Sequence, residues 1–297
     1  LSVERVDTAG DVGQDCSLAF GTDGHPAISY YDATSRALKY AAFDGSQWVI
    51  ETVDSSGPDA GNYTSLKFSP GGYPAVSYQR YDAASKVELC YASKDTAGWT
   101  LTTVADQLNS SIIDTSLAFG TNGYPSIAYY VKPTYGSYDI RYARWDGSAW
   151  LKKGIDYGCG FSLSLAFQPN GKAAVAYFDW YHSPSELVYV TEGTYSWSYW
   201  DSQTVAVQAY GTSAYPSLAF APDGHPAISY HDDQLGYLKY AKYDGTKWSI
   251  VIVDFDGFVG AYSSLAFSPD GCPVISYYDA TRGVLKLAEW VEGIRRP

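Results

Sequence analysis

The chain has no methionine at any of its 297 positions. A newly translated chain begins with one, so this sequence is expected to follow a removed segment, an export signal or an upstream region. That reading places the protein outside the cell or in a periplasm. Cysteine is scarce, with only Cys16, Cys90, Cys159 and Cys272. No two of them stand in a CxxC spacing, and no zinc or haem-attachment pattern contains them. They fall at four different positions of the repeat described below, so mostly free, buried thiols are expected, with one disulfide left open. Positive charge is short as well: Lys+Arg total 20 against Asp+Glu 32, a net charge of −12. Such a field repels a phosphate backbone and no basic stripe offsets it, which argues against a nucleic-acid partner, while the charge itself serves solubility. No apolar run approaches the ~18–20 residues that a membrane-spanning helix needs. Helical periodicity is missing throughout, and no cofactor is expected.

What the chain does contain is one motif written six times. Ser17-Leu18-Ala19-Phe20 returns as Ser65-Leu66-Lys67-Phe68, Ser116-Leu117-Ala118-Phe119, Ser164-Leu165-Ala166-Phe167, Ser217-Leu218-Ala219-Phe220 and Ser264-Leu265-Ala266-Phe267. The serine-to-serine spacings are 48, 51, 48, 53 and 47 residues, a period that marks a repeat architecture. Seven residues after each serine stands a glycine (Gly24, Gly72, Gly123, Gly171, Gly224, Gly271), usually behind Asp or Asn. Asp-Gly and Asn-Gly supply the backbone angles of a tight hairpin turn. A proline two residues later in five repeats opens a second strand, where its missing N–H does least harm. A third strand (Leu38-Lys39-Tyr40-Ala41 and its echoes) leads through a second Asp-Gly turn to a tryptophan (Trp48, Trp150, Trp248) and a fourth strand.

Four-stranded units repeated about a centre predict an all-β, six-bladed β-propeller of four antiparallel strands per blade. A single domain over 1–297 is expected, with blades beginning near 17, 65, 116, 164, 217 and 264. The sixth repeat stops after its third strand, and Val3-Glu4-Arg5-Val6-Asp7 matches Ile50-Glu51-Thr52-Val53-Asp54. Residues 1–7 are therefore expected to supply the missing strand of blade six and close the ring.

Both glycine turns fall on one face of such a propeller, and the connections of variable length fall on the other. The second-to-third connection is longer in blades two to four, and the longest link into a new blade runs from Trp197 to Ser217. A rigid scaffold with variable loops on one side is the usual arrangement of a binding face. Thirteen residues after each serine stands a tyrosine in all six repeats (Tyr30, Tyr78, Tyr129, Tyr177, Tyr230, Tyr277), which favours packing between blades. The next position holds Tyr31, Gln79, Tyr130, Phe178, His231 and Tyr278, and the one after it Asp32, Arg80, Val131, Asp179, Asp232 and Asp279. Aromatic faces stack on the C–H surfaces of sugars and carboxylates accept hydroxyl protons. Equally, each Asp can cap a turn through nearby backbone N–H groups. Two residues before the serines stand Asp15, Tyr63, Asp114, Tyr215 and Tyr262, expected nearest the central channel. The candidate binding residues are Tyr31, Asp32, Tyr63, Asp114, Tyr130, Asp179, His182, Tyr215, His231, Asp232, Tyr262, Tyr278 and Asp279. A metal held by His182, His231 and their neighbouring aspartates is the less favoured reading, and no metal is assigned. His25 and His225 share one tight-turn position and read as echoes of the repeat on the opposite face.

The Asp-Gly-x-x-Trp turn resembles the Asp-box repeat of sialidase-type six-bladed propellers. The resemblance spans the chain as architecture and implies the same fold. In the sialidase-type box one further residue separates the aspartate from its glycine. Sialidases also bring three arginines to a substrate carboxylate. Here only Arg36, Arg80 and Arg282 fall in connections on the variable face, at the outer ends of loops, so the sialidase activity is not carried over. The function expected first is that of an extracellular, non-catalytic binding module for a glycan or a protein surface. Its support is a repeated face, which offers multivalent contact, and 29 tyrosines, which offer broad amphipathic contact area. The alternatives are a glycoside hydrolase or lyase drawing two carboxylates from Asp15, Asp114, Asp179, Asp232 and Asp279, or a scaffold subunit of an extracellular assembly.

Overall fold

A computed structural model describes residues 4–108, 110–133, 139–157, 162–180, 183–193, 200–208 and 215–290. These residues form six antiparallel sheets, each a simple meander. Blade one holds β1 (Val12–Phe20), β2 (Pro26–Asp32), β3 (Ala37–Phe43) and β4 (Trp48–Asp54). Blade two holds β5 (Asp59–Phe68), β6 (Pro74–Tyr81), β7 (Val87–Asp95) and β8 (Gly98–Leu108). Blade three holds β9 (Ser110–Phe119), β10 (Pro125–Pro133), β11 (Asp139–Trp145) and β12 (Trp150–Tyr157). Blade four holds β13 (Leu163–Phe167), β14 (Ala173–Asp179), β15 (Ser185–Glu192) and β16 (Trp200–Gln208). Blade five holds β17 (Ser217–Phe220), β18 (Pro226–Asp232), β19 (Tyr237–Tyr243) and β20 (Trp248–Asp254). Blade six holds β21 (Val259–Phe267), β22 (Pro273–Asp279) and β23 (Val284–Glu289). No helix among the described residues is long and apolar enough to cross a membrane.

The turns form for the reasons written in the sequence. Gly24 has φ +78° and Gly45 φ +97°, a region closed to most side chains. The Asp44 carboxylate accepts the N–H groups of Ser46 (2.8 Å) and Gln47 (2.9 Å), and Asp146 and Asp244 repeat the arrangement. These bonds hold the carboxyl of Asp44 down to about 2. His25 and His225 pack edge-on against Phe43 and Tyr243 of the third strands, beside these turns.

The chain divides into two compact units, Leu1–Gly154 and Ile155–Pro297. In the first, Leu38, Tyr40, Leu66, Val76 and Tyr78 form one buried cluster, and Leu89, Ile112, Leu117, Ile127 and Tyr129 form another. The second repeats the pattern with Leu187, Leu218, Ile228 and Tyr230, and again with Leu238, Val259, Leu265 and Ile275. Each cluster joins one sheet to the next. Within each unit the inner strands are tied by bonds from a Leu N–H to the serine Oγ of the preceding blade. Leu66 donates to Ser17 and Leu117 to Ser65, both at 3.0 Å.

The two terminal repeats differ from the rest. Leu66 and Leu117 are fully buried in the first unit, whereas Leu18 is 57% exposed. In the second unit Leu238 is fully buried and Leu285 is 78% exposed. Blade six has three strands among the described residues, and part of its expected closing strand, 1–3, lies outside them. Residues 4–7 carry no strand, yet they contact blade one as an outer strand contacts the following blade. Trp48 Nε1 donates to Glu4 (2.6 Å) as Trp99 Nε1 donates to Glu51 (2.8 Å), and the Tyr30 hydroxyl donates to Asp7 as that of Tyr78 does to Asp54.

Inner strands start earlier than the serine motif suggests. β1, β5 and β21 each begin about five residues before it, and each carries register shifts against its neighbour in that added stretch. Of the cysteines, Cys90 is buried, Cys272 is half-buried and Cys16 is exposed, and no disulfide links these three to one another; Cys159 lies outside the described residues. The expectation of buried thiols holds for Cys90 and fails for Cys16, which the early start of β1 leaves on an exposed inner strand.

Candidate functional site

The extra residues of the inner strands build an unusual backbone feature. Asp15 (φ +50°), Tyr63 (+55°), Tyr215 (+42°) and Tyr262 (+54°) all adopt the left-handed region, as does Ser162 (+70°) at the same place in blade four. A non-glycine residue pays steric strain there, and it persists only where the surroundings enforce it. In β1, β5 and β21 the enforcing element is a bulge, which re-aims the side chain out of the pleat. The residues two before each serine are therefore turned away from the sheet by design of the strand. Asp114 is the exception, pairing directly with Tyr130.

In the second unit this device brings Tyr215 and Tyr262 together, ring centroids 4.4 Å apart and planes inclined at 42°. Tyr262 is 69% exposed and Tyr215 half-buried. A hydrogen bond with Tyr215 raises the Tyr262 phenol above its usual range, with the charges of Tyr215 and Tyr278 adding to it. Tyr278 is 38% exposed. The link from β20 to β21 adds Phe255 and Phe258, both exposed. In the first unit the same device gathers Asp15 and Tyr63, whose N–H donates to Asp15 Oδ2 at 2.9 Å. Burial raises the Tyr63 phenol, and the charges of Asp15, Tyr81 and Asp114 add to it.

The other candidates are taken up by the fold. Tyr31, pushed to about 12 by burial, bonds to Asp59 of the next inner strand. Gln79 accepts the Ile112 N–H at 3.0 Å, and His231 Nδ1 donates to the Val259 carbonyl at 2.7 Å. At Tyr31, Gln79 and His231 this repeat position thus stitches a blade to the following one. Tyr130 is fully buried. Asp32 accepts from the N–H groups of Thr34 and Ser35, and Asp232 from those of Gln234 and Leu235. Asp279 accepts from Arg282, through both its backbone and its guanidinium. Lys39, Lys239 and Lys286 stand beside these three carboxylates in turn. Burial raises the Asp32 carboxyl, but the bonds from Ser35 and Thr34 and the charge of Lys39 outweigh it, leaving the group below its usual range. Asp179 is likewise buried. His182 lies outside the described residues. Among the described residues, no group of three or more His, Cys, Asp or Glu side chains gathers as a metal site would.

Two features escaped the sequence reading. The aromatic link residues Phe255 and Phe258 gave no repeating signal. Lys67 did: it replaces the alanine of the other five serine motifs, and it is exposed on β5.

No protein-family model and no curated protein sequence matches the chain. Solved structures do. A Hadza microbial sialidase superposes with a TM-score of 0.66 at 12% identity, over 93% of this chain and 65% of that one. An alpha-L-arabinanase of Penicillium chrysogenum complexed with arabinobiose gives 0.63 at 11% identity, over 93% and 92%. The SapL1 lectin in complex with alpha methyl fucoside gives 0.61 at 13% identity, over 95% of both chains. The chain is a six-bladed β-propeller. Identities this low establish the fold alone, and the sialidase likeness agrees with the resemblance carried by the Asp-Gly-x-x-Trp turn.

Proposed function

We propose that this propeller is an extracytoplasmic carbohydrate-binding module, and that it holds its ligand on the loop face without turning it over. The observation that carries the reading is the Tyr215–Tyr262 pair, with the Tyr262 ring exposed, beside Tyr278. Paired phenols offer a flat apolar surface for the C–H face of a sugar ring, with hydroxyls at the edge for hydrogen bonds. Three structures of the same fold are named for work on saccharides, two as hydrolases and one as a lectin. Non-catalytic binding is favoured because Asp32, Asp179, Asp232 and Asp279 are buried, and three of them cap turns beside cationic partners.

A hydrolase or lyase is the second reading, and one observation favours it: the charges of Asp15 and Asp114 both act on Tyr63. Glycoside hydrolysis needs two carboxyl groups about 5–5.5 Å or 6.5–9.5 Å apart. A glycan array followed by calorimetry separates the readings. Saturable binding without turnover, weakened at least tenfold by Tyr262→Ala, supports the module. Turnover abolished by Asp114→Ala overturns it.

A further inference from the structure

We propose, building on the carbohydrate reading, that the ligand is a chain of sugars and that a second apolar platform on blades five and six holds its outer end. The platform consists of Leu235, Phe255 and Phe258, all exposed. Its parts lie side by side. The Phe255 and Tyr237 ring centroids are 6.2 Å apart, and Phe258 stands 4.6 Å from the His231 ring. A Cβ added to Gly236, next to Leu235, would lie 3.0 Å from the Phe258 ring. From Phe258 the chain enters β21 and reaches Tyr262, a run of up to about 13 Å at ~3.3 Å per residue. The platform and the tyrosine pair thus share one strand.

The fold does not need these side chains. The link into blade one reads Asp7-Thr8-Ala9-Gly10-Asp11, and the link into blade six reads Asp254-Phe255-Asp256-Gly257-Phe258. Their bonds agree: Asp7 accepts the Ala9 N–H and Asp254 that of Asp256, each at 2.9 Å. The Thr34 hydroxyl accepts the Asp11 N–H at 2.8 Å, and the Thr281 hydroxyl accepts that of Phe258 at 2.7 Å. Leu235 likewise takes the place of Ser35, in turns capped alike by Asp232 and Asp32. One backbone therefore carries exposed Thr8, Asp11 and Ser35 in the first unit and three exposed apolar residues in the second. A contiguous apolar patch of this kind marks a contact surface.

Its chemistry selects the partner. Phenylalanine and leucine offer apolar surface without hydrogen bonds, which suits the C–H face of a sugar ring. Asp256 stands between the two phenylalanines in the chain and pairs with Arg282 at 2.7 Å, both exposed, so that hydroxyls at a ring's rim find partners. An axial hydroxyl puts a polar group on a sugar's face, whereas pyranoses with only equatorial hydroxyls present C–H on both faces. The class is an extended, β-linked chain of such pyranoses, as in the cello-oligosaccharides.

The test is calorimetric titration of wild type, Phe255→Thr, Leu235→Ser and Tyr262→Ala with methyl glucoside, cellobiose, cellotriose and cellotetraose. The first two variants take the residues that blade one carries on the same backbone, so their thermal midpoints should match wild type. Wild-type affinity is expected to rise about tenfold from methyl glucoside to cellotetraose, the scale of one aromatic contact. Phe255→Thr should erase that gain and spare methyl glucoside, Leu235→Ser should remove part of it, and Tyr262→Ala should weaken every ligand. A gain lost in Phe255→Thr while Tyr262→Ala is harmless keeps the outer platform and removes the tyrosine pair from the carbohydrate reading. Affinity independent of chain length, a gain that survives Phe255→Thr, or no binding of the series overturns the proposal. In the last case a glycan-array signal that depends on Tyr262 leaves the carbohydrate reading standing. A dimer in sedimentation that Phe255→Thr dissolves also overturns it and makes the patch an interface between copies of the chain.

Discussion

The hydroxyl of Tyr78 donates a 2.6 Å hydrogen bond to Asp54 Oδ2, from the second strand of blade two to the last strand of blade one. Tyr30 to Asp7 (2.6 Å), Tyr177 to Asp156 (2.5 Å) and Tyr277 to Asp254 (2.7 Å) repeat it. Burial raises the Tyr78 phenol far above its usual range, so it stays a protonated donor, and Arg80 meets the same carboxylate at 3.2 Å. The bond gives the tyrosine of the thirteenth position a structural task, as its occurrence in every repeat suggested.

Tyr78→Phe should destabilise the fold by about 1–3 kcal/mol, because the buried Asp54 carboxylate loses one of its donors while the ring still fills its site. Urea denaturation followed by tryptophan fluorescence reads the change. An unaltered midpoint and slope would show that the bond contributes nothing net.

Gly61 should not tolerate a side chain. It holds φ +110°, and an added Cβ would lie 2.7 Å from Leu38 Cα; Gly260 stands against Leu238 in the same way at 2.8 Å. Gly61→Ala is expected to cost about 1–3 kcal/mol through overpacking at the junction of two sheets. Gly98→Ala is the comparison, since it has a similar φ of +123° with open space around it. Its thermal midpoint should fall less than that of Gly61→Ala; an equal fall would trace the loss to backbone strain alone.

Stability should decline on the acid side of neutrality through His231. Burial lowers its pKa against the opposing pull of the Val259 carbonyl, Asp233 and Asp232, with Phe258 packed on the ring. The fold thus favours the neutral imidazole, while the unfolded chain takes up a proton near ~6.5. Its contribution is whole above that pH and is lost as pH falls through the lower folded value. His231→Gln keeps an amide donor for the Val259 carbonyl and mirrors Gln79 at the same repeat position. It should flatten the fall in thermal midpoint between about pH 7 and 5. An unchanged slope would assign the pH dependence to the carboxylates instead.

What the amino-acid sequence by itself determined is local. Period-two alternation, Asp-Gly turns and prolines at strand starts mark strands and hairpins, because each depends on residues a few positions apart. Their sixfold recurrence specifies six sheets. Tertiary structure alone decided which similar residues do which work. Tyr30 is 3% and Tyr262 69% exposed, although both are tyrosines of the same repeating unit. The difference lies in whether a carboxylate from another segment, as Asp7 is for Tyr30, or open solvent meets the side chain. The bulges that strain Asp15, Tyr63 and Tyr262 also have no local signature, since a bulge is an extra residue counted against a partner strand. Lys67 was legible as a break in the repeat, but its lack of a partner among the described residues was not. That depends on every charge brought near it by folding, and residue spacing along the chain does not contain that distance.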